Sequence, residues 1–148
     1  MESHYRRFMK IAIEEAKQSL KEGNKGFGAV LVKNGEVALL AHDTILTDPD
    51  PTAHAEMNLI KKALKEGFKD LSGCVIFSTH EPCPMCTGAL IWAKISEIVY
   101  GASIKDTLAL GRNMIDLCCR EQIDRAPWRV KVKGGVLKKE CLPLYVKK

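Results

Sequence analysis

The sequence predicts an α/β fold in three layers, α/β/α, with a mixed sheet between helices. Two observations predict it. Stretches with helical apolar spacing alternate with short strand-like runs along the chain, the pattern of a sheet covered on both faces. Asn34-Gly35, set between apolar runs, is a two-residue hairpin turn, so the sheet is not wholly parallel.

Tyr5 to Glu22 reads as the first helix, with Phe8, Met9, Ile11, Ala12, Ala16 and Leu20 as its apolar stripe and Gly23 as its C-terminal cap. Phe27 to Val32 and Val37 to Ala41 are the hairpin strands. His42 to Pro51 is polar and carries Pro49 and Pro51, so it reads as a loop. Thr52 is the expected N-cap of a helix from about Ala53 to Glu66, closed by Gly67. Cys74 to Phe77 is a strand, and Thr79-His80-Glu81-Pro82 a tight connection. Pro84 suits the first position of a helix to Ala93, because its missing N–H would be unpaired there anyway. Ile98 to Tyr100 is a strand, Met114 to Ile123 a helix, Val130 to Val132 the last strand, and Val136 to Leu142 a helix ended by Pro143.

With 148 residues and 46% hydrophobic content, one domain spanning 1–148 is expected, large enough for a core flanked by helices. No stretch is long and apolar enough to span a bilayer, and the N-terminus lacks the apolar run of a secretory signal. No membrane association and a cytoplasmic location are therefore expected. The net charge of +5 permits a phosphate-bearing partner without demanding one. The excess Lys and Arg after Arg125 read as a solvated face. Cys74, Cys118, Cys119 and Cys141 form no disulfide framework and read as buried small hydrophobes.

His54-Ala55-Glu56 and Pro82-Cys83-Pro84-Met85-Cys86 carry the chemistry. His54, Cys83 and Cys86 are ligands of the kind zinc prefers, and three protein ligands leave a fourth position open, as in catalytic sites. Glu56 sets a carboxylate beside that position, where a metal-activated water needs a proton acceptor. A structural four-ligand site would need His42, His80, Cys74 or Cys141 as well, and would leave Glu56 and Pro82 without a role. A lone C-x-x-C pair can be redox-active, but that would not explain His-Ala-Glu. The expected ligands all fall in the first turns of two helices, whose positive ends favour thiolate.

The H-x-E and P-C-x-x-C patterns together resemble the zinc nucleobase deaminases. Gly28 to Val32, Asp50 to Glu56 and Glu81 to Cys86 resemble the cytidine deaminase-like superfamily, in its nucleobase and purine branch, both guanine deaminases and tRNA adenosine deaminases. The resemblance runs from the first helix to Tyr100. It implies a mixed five-stranded sheet between helices, a homodimer, a zinc cofactor and hydrolytic loss of an exocyclic amine as ammonia. Phe27 before Gly28, and Trp92 in Ile91-Trp92-Ala93, lean toward guanine deaminase, and both are expected to wall a flat pocket. The resemblance also implies that the Ala55 N–H contacts the oxygen on zinc, and that Glu56 carries a proton from the water to a ring nitrogen and then to the departing ammonia.

Two departures bear on specificity. Relatives usually carry Asn at the base-contacting loop position, and equal spacing before His54 puts Asp43 there. Asp43 either reads the base or caps the loop. Guanine deaminases also hold the purine with C-terminal acidic residues; that region here reads Asn113-Met114-Ile115-Asp116, with Asn113 the expected contact. The expected substrate is a small amino-heterocycle, guanine-deaminase-like. The alternatives are tRNA adenosine, a cytosine, triazine or pterin substrate, and a catalytically silent zinc module, against which the intact Glu56 speaks.

Overall fold

The computed structural model describes residues 2–146. Helix α1 (Glu2–Lys21) leads into the hairpin of β1 (Gly28–Lys33) and β2 (Glu36–His42). Asn34 and Gly35 both take positive φ, 53° and 76°, as a tight turn between twisted strands requires. Then come α2 (Ala55–Lys65), β3 (Cys74–His80), α3 (Pro84–Trp92) and β4 (Glu97–Ala102). The chain closes with α4 (Ile104–Ala109), α5 (Cys119–Asp124), β5 (Lys131–Lys133), α6 (Lys138–Cys141) and a 3₁₀ turn, Leu142–Tyr145.

The five strands form one sheet in the order β2-β1-β3-β4-β5. β1 is antiparallel to β2 and β3, whereas β3, β4 and β5 are parallel. The parallel pairs need crossovers, and α3 supplies the first of them. Side chains alternate between the two faces along the central strands. Ala29, Leu31, Ile76 and Ile98 pack under α2, α3 and α5, while Val30, Val32, Phe77 and Val99 pack under α1, α6 and the 3₁₀ turn. Two apolar layers therefore sandwich the sheet, as the alternation of helix and strand predicts. Gly28 lets α1 lie close on β1, since a Cβ there would run into the Ala12 carbonyl and the Ala16 nitrogen.

Several boundaries differ from the sequence expectation. Thr52 does not cap α2: its backbone N–H and hydroxyl both donate to Asp50 Oδ1, at 2.8 and 2.7 Å, closing a local turn. The N-cap is His54, in extended conformation with φ −70° and ψ 158°. β3 continues through Thr79 and His80 because the parallel ladder with β4 reaches Ala102. Met114–Ile123 is helical only from Cys119, and the stretch before it runs irregularly along the cavity described below. α4 was not expected, although Ser103 and Asp106 close a full capping box at its start. The last α-helix begins later than Val136, at Lys138, because Leu137 takes φ 52°; it ends at Cys141, just before Pro143, which stands in the first positions of a 3₁₀ turn, where its N–H is not needed. Among the described residues no helix is long and apolar enough to cross a membrane.

Candidate active site

The site lies at the starts of α2 and α3, which pack against each other beside the C-terminal end of β3. His54 is the N-cap of α2, and Cys83 is the N-cap of α3, with φ −67° and ψ 169°. Cys86 follows in the first turn of α3. Two ligands thus stand just outside their helices rather than within the first turns. The extended cap conformation turns each side chain away from the helix axis, and Pro84 at the first helical position fixes the exit angle after Cys83.

His54 Nδ1 is 3.6 Å from the sulfur of Cys83 and 3.6 Å from that of Cys86. Tetrahedral zinc with Zn–S of about 2.3 Å and Zn–N of about 2.0–2.1 Å separates nitrogen and sulfur ligands by about 3.6 Å. The three residues therefore fit a zinc ion as they stand. They form the one such cluster among the described residues, and His42, His80, Cys74 and Cys141 do not join it. All six cysteines are free. The hydrogen bond from the Cys86 thiol, then that from His54, hold Cys83 down at about 4 despite burial. The same hydrogen bond with Cys83, then burial, push Cys86 far up in turn. Thiolates at Cys83 and Cys86 are the form that would hold a divalent cation there.

Glu56, one residue into α2, is 4% exposed. Its Oε2 accepts from the Ser78 hydroxyl at 3.2 Å. Burial, then the Cys83 thiolate, push its carboxyl up to about 7. A cation at the three ligands acts the other way, toward carboxylate. A group poised between these influences suits a proton shuttle near neutrality. Ala55, between ligand and acid, is fully buried at the first position of α2, where the backbone N–H has no intrahelical acceptor.

These groups open into a cavity of about 460 Å³, a size typical of small-molecule sites. Phe27 forms part of its wall, edge-on to His80 with 5.4 Å between ring centres and 4.9 Å from the ring of Tyr145. Asp43 is 1% exposed and also lines the cavity. Its Oδ1 accepts from the Ile45 N–H at 3.0 Å, which closes the loop, and burial pushes its carboxyl up. Asn113 lines the cavity from the opposite segment. Trp92 does not reach it. It ends α3, about 12 Å along the axis from Pro84 at 1.5 Å per residue, is 72% exposed, and stacks edge-on against Trp128. The expectation that Trp92 walls the pocket is therefore corrected: the ligands take the start of the helix, and residue 92 lies at its far end.

Several site residues escaped the sequence reading. Asn58 Nδ2 donates to the His42 carbonyl at 2.8 Å and to the Thr44 hydroxyl at 3.0 Å, tying the Asp43 loop to α2. Glu81, 3% exposed, receives the N–H of Ile104 at 2.9 Å and that of Cys119 at 2.7 Å, and so anchors α4 and α5 to the end of β3. His80 is buried and kept neutral by that burial; its Nδ1 bonds the Glu81 carbonyl and its Nε2 the Thr107 hydroxyl. Apart from the His80 bond to its neighbour Glu81, their partners come from distant segments, and only the adjacency of Glu81 to Pro82 could have drawn notice.

A mixed five-stranded sheet between helices, with His-Cys-Cys ligands and a buried glutamate at two helix starts, defines a zinc-type hydrolytic deaminase. Comparison with known proteins gives the lineage. The chain belongs to the family described as the cytidine and deoxycytidylate deaminase zinc-binding region, whose profile matches residues 2–102. It is 39% identical to the tRNA-specific adenosine deaminase of Bacillus subtilis (strain 168) over 135 residues, covering 90% of this chain and 81% of that one. It is 40% identical to the guanine deaminase of the same organism over 106 residues, covering 70% and 68%. A solved structure from a study of A-to-I editing by tRNA:A34 deaminases superposes with a TM-score of 0.77 at 26% identity, covering 93% of this chain and 98% of that one.

Proposed function

We propose that residues 1–148 act as one zinc-dependent deaminase domain whose substrate is a small amino-substituted heterocycle, in the manner of a guanine deaminase. The observation that carries this reading is the cavity of about 460 Å³ that joins His54 and Glu56 to the Phe27 wall and the buried Asp43. His54, Cys83 and Cys86 would hold the metal. Bound there, zinc supplies a water acidic enough to serve as nucleophile near neutral pH. Glu56 accepts one proton of that water and delivers it to the ring nitrogen beside the carbon under attack; it then takes the second proton from the attacking oxygen and gives it to the amine, which leaves as ammonia as the C–N bond breaks. Water and the C–NH₂ compound thus become the C=O compound and ammonia. Ser78 holds the Glu56 carboxyl in place, and Phe27 offers the heterocycle an aromatic surface. Asn113 and the Ala55 N–H are further contacts.

Asp43 sets the specificity. An ionised Asp only accepts, whereas Asn both donates and accepts. The substrate edge at Asp43 therefore carries N–H or amino donors, as in amino-triazines, aminopterins and cytosine-like bases; a lone pair such as purine N7 would leave a buried acceptor unpaired. Ammonia release by zinc-loaded protein over bases, nucleosides, triazines and pterins tests the reading. Asp43→Asn should reorder that panel, and an unchanged ranking would leave Asp43 as a loop residue and return guanine to the front.

A second reading, adenosine deamination in tRNA, is favoured by the 39% identity to a tRNA-specific adenosine deaminase across most of the chain. Inosine formed in tRNA, with no ammonia from any small heterocycle, would establish it instead. The protein is proposed to work as a homodimer through the face where Trp92, Ile91, Leu117 and Pro127 line a shallow apolar groove and Gln122 Oε1 is buried without a partner among the described residues. Light scattering that finds only monomer would refute the dimer.

A further inference from the structure

The loop that carries Asp43 into the cavity is held at its root by a side chain that does not line the cavity. His42 is the last residue of β2. Its two ring nitrogens meet two carboxylates: Nδ1 is 2.8 Å from Glu15 Oε2, and Nε2 is 2.8 Å from Glu22 Oε1. Glu15 stands on α1 and Glu22 just past its end. Gly28 is the cross-strand partner of His42, and α1 lies tightly on Gly28, so the two carboxylates come within reach of the ring.

A carboxylate only accepts, so a ring flanked by two of them needs an N–H on each nitrogen, and only imidazolium has both. The neutral ring keeps one N–H and turns a lone pair toward the other carboxylate. Burial opposes the charge, but Glu15 and Glu22 together outweigh it and hold the pKa above its ordinary value. From α2, Asn58 and Lys62 face this end of β2, and Lys62 donates to the Leu40 carbonyl at 2.7 Å. Burial pushes the neighbouring Asp43 carboxyl up, and the charges of His54, Lys25 and His42 act against it.

The backbone of the same two residues ties the loop to three elements. The buried Ser19 hydroxyl of α1 reaches the Asp43 carbonyl at 2.8 Å. The Asp43 N–H donates to the Phe27 carbonyl at 3.1 Å, and Asn58 Nδ2 to the His42 carbonyl at 2.8 Å. From Asp43 to His54 the chain has neither helix nor strand. A movement of His42 is therefore passed straight to Asp43.

We infer that His42 is a positioning residue for Asp43: bridged to Glu15 and Glu22, it is a proton-dependent clamp between β2 and α1 that sets how firmly the substrate loop is held, and so how tightly substrate binds. The effect on binding rests on the reading of Asp43 as a substrate contact. The clamp is closed while the ring is charged. It opens as pH rises through the raised value, where one carboxylate loses its donor. The ring bonds neither Glu56 nor the metal ligands, so the effect falls on KM and leaves kcat to Glu56.

Amide hydrogen exchange and kinetics on the zinc-loaded protein test this between about pH 6.5 and about pH 8.5. Exchange reports the loop whether or not a substrate turns over. The Asp43 and Ile45 N–H groups donate to the Phe27 carbonyl and to Asp43 Oδ1. Their protection should fall at least about fivefold across this range, measured against Ile76 at the centre of the sheet. KM for guanine, cytosine and melamine, whichever release ammonia, should rise at least about threefold as protection falls. In His42→Gln both quantities should be flat with pH, because Gln keeps the same donor throughout, and kcat should follow the parental profile. Glu22→Gln, at an exposed position, should move both changes to lower pH. Flat protection in the parent, a parental pH dependence kept by His42→Gln, or a KM that ignores a loop that does loosen would overturn the inference. Ammonia release with flat protection means that the clamp fails alone. Protection that tracks His42, with no ammonia from any of the three heterocycles, leaves the clamp standing and overturns the small-molecule reading.

Discussion

Removing the Glu81 carboxylate should destabilise the protein without removing its metal. Glu81 stands two residues before the candidate zinc ligand Cys83, and its carboxylate oxygens accept the backbone N–H groups of Ile104 and Cys119, at 2.9 and 2.7 Å. Both bonds are buried. Hydrogen bonds to a charged partner contribute about 1.5–3 kcal/mol each, and a buried donor left alone keeps its desolvation cost. Glu81→Ala strands both donors, so the loss is about 3–6 kcal/mol, a large part of the roughly 5–15 kcal/mol that holds an ordinary domain together. Glu81→Gln keeps one acceptor oxygen and turns an amide N–H toward the other donor, so it should lose about half as much. A domain of this length melts about 2–4 °C lower per kcal/mol, which places Glu81→Ala at least about 6 °C below the parent. Thermal melts of the zinc-loaded proteins read this directly, and metal analysis should find zinc in all of them. A Glu81→Ala protein that melts with the parent would refute the reasoning, since two buried amides cannot lose their acceptor without cost.

Three further outcomes follow from the packing and the charges. Gly28→Ala places a methyl group against the Ala12 carbonyl and the Ala16 nitrogen, which α1 cannot yield without lifting off the sheet; the loss should be at least about 1–3 kcal/mol in urea unfolding, and an unchanged midpoint would contradict the close approach. Burial opposes charge on His42, but Glu15 and Glu22, each 2.8 Å from one ring nitrogen, outweigh it and hold its pKa above the usual value. Its contribution is then full below about 6.5 and is lost as pH rises through the raised folded value; His42→Gln should flatten that part of the stability profile, and a parent whose stability does not fall across this range would refute the pairing. Asn58→Ala frees the Asp43 loop from α2, so KM should rise several-fold while zinc content stays, and an unchanged KM would show that the loop is held without it.

Local pattern made much of this molecule legible in the sequence. Asn34-Gly35 can close only a tight turn, and it does. The alternation of Ala29 and Leu31 with Val30 and Val32 sends each pair to its own layer. The metal site was readable because its three ligands come as two short motifs, and each motif carries its own helix start. Readings failed where long-range partners decide. Thr52 looked like a cap until Asp50 claimed its hydroxyl. Trp92 looked like a pocket wall by resemblance alone, although a helix from Pro84 to Ala93 with the ligands at its start already sets residue 92 at the far end. Glu81 and Asn58 gain their roles only from what the fold brings near them. Ser103 and Asp106 did spell a capping box, and α4 could have been read from it.

The central claim is that His54, Cys83 and Cys86 hold zinc while Glu56 moves the proton. Glu56→Ala, analysed for metal and for ammonia release on the best substrate of the panel, tests it most directly. The account predicts zinc content equal to the parent and turnover lower by a factor of about 10²–10⁴, the usual worth of a positioned acid or base. Ammonia release at the parental rate, or loss of the zinc together with the carboxylate, would contradict it.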